Sequence, residues 1–172
     1  PTTTPQDFSI QELIGQEAVV IESQNLELKS SFSWDMEEKV HSEIIKNIIV
    51  KAVVSLLNTE GGTLLIGIDD DGNILRIEND LSFFEDPSND KLSRHILEYI
   101  EKCIGVQALA NIFLDFELID EKTVIRLDIG KSDIPIFANF NKTRDKTQDD
   151  PKFYIRTGAA TRELKGRDLI DY

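Results

Sequence analysis

The sequence predicts an α+β domain in which a mixed or antiparallel sheet, built from hairpins, is covered by two main helices. Three observations predict it. An apolar run at helical spacing, Val40 to Leu57, stops at Asn58-Thr59-Glu60-Gly61-Gly62 and leads directly into the apolar strand Thr63 to Ile68. A second helical stripe, Leu92, Ile96, Tyr99, Ile100 and Cys103, ends near Gly105. Between that helix and the C-terminal third, Ile112 to Leu118 and Thr123 to Ile129 alternate apolar and polar residues around Asp120-Glu121, the pattern of a hairpin. Helices and strands joined by short turns pack as two layers around one core.

Taken in order, Ser9 caps a short helix whose Ile10, Leu13 and Ile14 share a face and which stops at Gly15. Val19 to Ile21 and Leu26 to Lys29 are extended pieces separated by Ser23-Gln24-Asn25, a trio suited to a turn or bulge. Asp35 and Glu38 fit a capping box that opens the long apolar helix, which is apolar over more than half its circumference and belongs against a sheet. After the strand Thr63 to Ile68, Asp69 to Asn73 turns the chain into a partner strand, Ile74 to Ile77. Pro135 to Phe137 reads as an edge segment, Asn139 to Pro151 as a polar loop, and Phe153 to Arg156 as the last strand, closed by Thr157-Gly158. The expected division is an N-terminal extension at 1–14, one domain at 15–167 and a tail at 168–172, the whole being a piece of a larger protein because the chain opens on Pro1 without a Met.

Composition narrows the function classes. The 172 residues are 40% hydrophobic and 30% charged, as a folded domain requires. No window is apolar for the ~18 residues that a bilayer demands, so no membrane role is expected. Cys103 is the single cysteine, which excludes an internal disulfide and points to a cytoplasmic setting. Net charge is −13. That balance disfavours a nucleic-acid partner, whose affinity comes from basic groups. The charge is unevenly spread, however: residues 138–167 hold eight Lys or Arg against four acids.

Most catalytic patterns are absent. Asp69-x-Asp71-x-Asn73 begins like a calcium loop, but its glycine comes at the fourth place instead of the sixth. Neither a P-loop nor G-x-G-x-x-G occurs, so no nucleotide cofactor is expected. His41 and His95 stand alone, and Cys103 sits at an apolar helical position, as a buried small hydrophobe does. One carboxylate constellation remains, Glu22, Glu27 and Asp70. Glu22 and Glu27 are five apart and converge only if Ser23-Gln24-Asn25 turns or bulges. With that turn, three hard oxygen donors would suit Mg²⁺ or Mn²⁺ and metal-assisted phosphodiester hydrolysis; without it they are three acids among 32. Gly61-Gly62 likewise allows a helix C-cap, the favoured reading, or a backbone platform for a ligand.

Several stretches together resemble the Schlafen-type AlbA-like domain: Glu22-Ser23 with Leu26-Glu27-Leu28-Lys29, then Asn58-Thr59-Glu60-Gly61-Gly62-Thr63-Leu64-Leu65-Ile66-Gly67-Ile68-Asp69-Asp70-Asp71-Gly72, and Phe153-Tyr154-Ile155-Arg156-Thr157-Gly158 with Thr161-Arg162-Glu163-Leu164. The resemblance covers about Gly15 to Leu164. It implies a nucleic-acid-binding module, for DNA or RNA, of a larger regulatory or defence protein. In some Schlafen proteins three acids and a divalent metal cleave structured RNA, and those acids fall here on Glu22, Glu27 and Asp70. The pattern departs at Ser55-Leu56-Leu57 and at Arg76. Ribonuclease members pair two such lobes, so cleavage would need a homodimer or another domain. Candidate nucleic-acid contacts are Lys29, Lys152, Arg156, Arg162 and Lys165. Two further readings stand beside binding: a metal-dependent endoribonuclease, and a dimerisation or protein-interaction module without nucleic-acid activity.

Overall fold

A computed structural model describes residues 22–141 and 149–172. The helix expected at Ser9 to Gly15, the extended piece Val19 to Ile21 and the middle of the loop Asn139 to Pro151 lie outside the described residues. The first strand, β1 (Leu26–Lys29), runs parallel to β4 (Gly62–Ile66), which pairs antiparallel with β6 (Lys122–Ile129), itself antiparallel to β5 (Ile112–Ile119). The four-stranded sheet is therefore mixed, in the order β1-β4-β6-β5. Two further strands, β2 (Trp34–Asp35) and β3 (Val40–His41), form a small hairpin, and β7 (Phe137–Ala138), β8 (Lys152–Thr157) and β9 (Ala160–Leu164) form an antiparallel three-stranded sheet. Helix α1 (Glu43–Leu57) packs on both larger sheets and on α3 (Asn89–Ile104); α2 (Glu78–Leu81) and α4 (Arg167–Ile170) are single turns. No helix among the described residues is long and apolar enough to cross a membrane.

The four-stranded sheet has apolar residues on both faces. Leu64, Ile66, Ile125, Leu127 and Ile129 join Val50, Val53, Val54 and Leu57 of α1 and Ile96 and Ile100 of α3 in the main core. On the opposite face Leu26, Leu28, Leu65 and Val124 gather with Ile68 and Ile119 in a smaller one. Alternation along each strand sends neighbours to opposite faces, so Glu27 and Lys29 stand on the α1 side while Leu26 and Leu28 enter the small core. Cys103 is buried, and burial pushes its thiol up to about 12. It packs as the small hydrophobe its position suggested.

Helix α1 starts later than expected. Asp35 does accept the backbone N–H groups of Glu37 and Glu38, at 2.9 and 3.0 Å, but these bonds close the turn between β2 and β3 instead of opening a helix. Lys39 has φ 54°, which no right-handed helix contains. The true N-cap is Ser42, whose side chain accepts from the N–H of Ile44. Beyond β4, Ile74 to Ile77 makes only one bridge, Ile68 to Ile74, and is no full partner strand; Arg76 at φ 81° breaks the extension. Phe153 to Arg156 is not the last strand either, because β9 pairs back along it after Gly158 at φ 60°. Gly61 (φ 74°) ends α1, its N–H bonding to the carbonyl of Leu56. A Cβ on Gly62 would lie 2.5 Å from the carbonyl oxygen of Asn25. The pair is thus a C-cap and a close passage between β4 and the turn before β1.

An aromatic and cationic cluster joins α1, α3 and the β2–β3 hairpin. Lys46 Nζ lies 3.1 Å from His95 Nε2 and 5.1 Å from the ring centroids of both Phe83 and Tyr99, while the His95 and Phe83 rings stack at 4.6 Å. Burial, and then the Lys46 cation, hold His95 below its ordinary value near 6.5; Glu98 and Asp80 pull the other way. The unfolded chain therefore binds a proton at this imidazole more readily than the folded one, and stability falls as the pH drops from about 6.5 toward the folded value. The melting temperature of wild type is expected to fall between pH 7 and 5 more steeply than that of His95→Gln. Parallel slopes in a thermal-melt series would show that this imidazole contributes nothing.

Candidate functional site

The residues singled out in the sequence meet around the start of β1. Glu22 is linked to the strand by a tight turn at Gln24-Asn25: Ser23 donates its N–H to the carbonyl of Leu26 at 2.9 Å, and the N–H of Asn25 bonds to Ser23 Oγ. The turn that convergence requires is therefore present. Glu22 Oε1 accepts from the N–H of Leu28 at 3.1 Å and lies 3.6 Å from Lys29 Nζ. Lys29 also pairs with Glu27 Oε1, so one ammonium sits against both glutamates.

Glu27 is buried, and its second oxygen pairs with Arg156 Nη1 from β8. The Arg156 guanidinium is likewise enclosed. It donates from Nε and Nη2 to the carbonyl of Ser23, at 3.1 and 2.7 Å, and from Nη2 to that of Leu26 at 3.1 Å. Its own N–H bonds to Thr59 Oγ1 at the end of α1. Burying two charges is tolerable only when they are well matched; here Glu27 meets two cations, and Arg156 adds hydrogen bonds to the backbone carbonyls of Ser23 and Leu26. Arg156 was expected at a nucleic-acid surface. It is 2% exposed and faces inward, tying the C-terminal hairpin to the turn before β1.

Asp70 lies elsewhere. It is exposed in the turn after β4, next to Asp69, which accepts from the backbone of Asp71 and Asn73 and from the Asn73 side chain. Desolvation pushes the Asp69 carboxyl up, but those hydrogen bonds outweigh it and hold the group below its usual value. Asp70 borders a cleft with Lys29, Trp34 and Met36, whereas Glu27 borders a second one. Among the described residues no three Asp, Glu, His or Cys side chains come together to hold a metal ion. With Glu27 occupied by two cations and Asp70 in the other cleft, Glu22, Glu27 and Asp70 do not fit Mg²⁺ or Mn²⁺ in this arrangement.

The second cleft, about 390 Å³, lies between α1 and the β8–β9 hairpin; Glu27, Lys29, Lys51, Tyr154, Thr161 and Glu163 line it. Lys152 and Lys165 stand on the same face of that hairpin as Glu163, their ammonium groups 3.8 and 3.3 Å from its carboxylate, and Lys152 also meets Asp150 at 3.0 Å. Burial, reinforced by Glu163 and Asp150, pushes the Tyr154 hydroxyl up to about 12, so it remains a neutral donor in the cleft. Arg162 projects from the opposite face, opposite Ile155, exposed and without an ion-pair partner among the described residues. Lys51 is the residue that sequence reading passed over. Its ammonium lies beside the rings of Phe140 and Tyr154, at 5.8 and 5.9 Å. A cation in the middle of an otherwise apolar helix is a signal for such a position, since it must reach water or a ring.

The family described as Schlafen, AlbA_2 matches the chain over residues 22–165. No curated protein matches it. Among solved structures, the DIP2311 protein from Corynebacterium diphtheriae superposes with a TM-score of 0.58 at 17% identity, covering 90% of this chain and 25% of that one. The N-terminal domain of a protein from Nitrosomonas europaea, described as related to the ATP-dependent DNA helicase RecG, gives a TM-score of 0.46 at 19% identity over 78% of each chain. The chain thus spans a quarter of the length of the C. diphtheriae protein whose fold it shares.

Proposed function

The chain belongs to the Schlafen, AlbA_2 family, and from that premise we propose that it is a nucleic-acid-binding module of a longer regulatory protein. The observation that supports this reading is the placement of its cations. Lys51, and Lys29 though it is paired with Glu22 and Glu27, line the cleft between α1 and the β8–β9 hairpin, Lys152 and Lys165 stand on the adjoining face, and Arg162 is exposed on the other face with no ion-pair partner among the described residues. Phosphate contacts of this kind position a strand without reading its bases. Glu163 holds Lys152 and Lys165 in part, and the rest of the chain is acidic, so few phosphates are neutralised and affinity is modest. Two or three contacts correspond to a slope of about −1.4 to −2 in log affinity against log salt for a single strand.

The test is fluorescence anisotropy with an RNA hairpin and a single-stranded DNA at 50 and 200 mM salt (about one Debye length of 14 Å down to 7 Å). Binding is expected to weaken with salt, and the double change Lys51→Gln/Arg162→Gln to weaken it roughly tenfold at low salt with the melting temperature retained. Binding indifferent to salt and to both substitutions would sink the proposal. Running the same RNA with Mn²⁺ or EDTA on a gel reads out cleavage separately from binding.

A further inference from the structure

The cleft between α1 and the β2–β3 hairpin plays no part in that reading. It too has a volume of about 390 Å³, and its lining mixes apolar residues, Trp34, Met36, Ile45 and Ile48 among them, with polar and charged ones. Large apolar side chains stay in water around it. Met36 is 41% exposed and Ile48 40%; Val40, paired with Asp35 across the hairpin, is 52%, and Ile44, one turn before Ile48 on α1, is 65%. Such a concentration beside a partly apolar concave wall is typical of surfaces that another molecule covers.

The rim says what kind. Asp35, Glu37 and Asp70 line it, with Lys29 as the only basic lining residue among the described residues, and the Lys29 ammonium is already set against Glu22 and Glu27. A partly apolar hollow with an acidic border complements an amphipathic segment carrying positive charge and repels a phosphate backbone. We propose that this cleft docks a basic amphipathic segment of another protein, its apolar side chains entering between Trp34 and Ile48 and its Lys or Arg groups meeting Asp35, Glu37 and Asp70. The two clefts share Lys29 and Ile48, so the docked segment lies next to the proposed nucleic-acid face, sharing Lys29 with it but not Lys51, Lys152, Arg162 or Lys165.

Trp34, the single tryptophan, lines this cleft and reports its occupation. A synthetic amphipathic peptide of Leu and Lys, titrated into the whole chain, is expected to move the Trp34 emission saturably to shorter wavelength. Met36→Asp and Glu37→Lys, both exposed turn positions, are expected to weaken that binding roughly tenfold each with the melting temperature unchanged. The counterpart peptide of Leu and Glu is expected to leave the emission unmoved. The proposal is overturned by an unshifted spectrum, by equal affinity in Met36→Asp, or by an equal response to the Glu peptide. It is also overturned by a sedimenting dimer with Trp34 already shielded, which makes a second copy the occupant, or by an oligonucleotide that shifts Trp34 as the Lys peptide does.

Discussion

Arg156→Met is expected to lower stability by about 3–5 kcal/mol, the range for stranding one member of a buried ion pair. Glu27 would keep Lys29 but lose its buried partner, and the carbonyls of Ser23 and Leu26 would lose three hydrogen bonds. Against a typical domain stability of roughly 5–15 kcal/mol, that is enough to populate unfolded chains at physiological temperature. Urea denaturation checks it, and the pair change Glu27→Gln/Arg156→Met is expected to recover part of the loss, because a neutral amide is cheaper to bury than an unmatched carboxylate. A midpoint unmoved in Arg156→Met would show that the guanidinium is dispensable. The result governs how function is tested. Loss of any activity in Glu27→Ala cannot be assigned to chemistry until the variant is shown to be folded.

Asp80→Ala is expected to cost about 3 kcal/mol, through unmet donors in the interior. Asp80, 2% exposed on α2, accepts from the N–H groups of Phe32 and Ser33 at 2.9 Å and from the hydroxyls of Ser31 and Ser33 at 2.8 and 3.1 Å. Alanine leaves the Phe32 amide without an acceptor and the Ser33 amide with only Ser31 Oγ, at 3.2 Å, beneath the hairpin that carries Trp34. Asp80→Asn keeps one carbonyl oxygen and is expected to lose less. Both variants also loosen His41, whose Nδ1 lies 2.9 Å from Ser33 Oγ and whose ring meets Trp34 edge-on, so Trp34 emission should move together with the melting temperature. Equal stability of Asp80→Ala and wild type in urea would rule out this network as a support of the hairpin.

What the sequence made legible follows the reach of each signal. Periodicity is local, and the elements it describes, α1, α3 and the β5–β6 hairpin, stand where Ile49, Val53, Ile96 and the alternation around Asp120-Glu121 place them. Capping is also local but ambiguous. Asp35 with Glu38 makes the same hydrogen bonds in a turn as in a helix, and only the left-handed Lys39 decides between them. Strand β9 gave little warning, because Thr161, Arg162 and Glu163 form no apolar alternation. The candidate site was half legible. The turn that brings Glu22 beside Lys29 is encoded within four residues, whereas the partner of Glu27 arrives from 129 positions away, and no spacing rule carries information over that distance. Arg156 accordingly looked like one more surface cation.

The same long reach bears on how the protein is made. Strand β1 is among the earliest described segments to leave the ribosome, yet the cation that neutralises Glu27 lies in β8, near the other end of the chain. Non-local pairings of this kind form late in folding, because the intervening loop must be closed before they contribute. During synthesis the first strand therefore waits, with an incompletely matched carboxylate, for a hairpin not yet translated. A transcript or protease cut that ends the chain before Arg156 would leave a fragment holding both long helices and most of the apolar core, but without the clasp that closes its first edge.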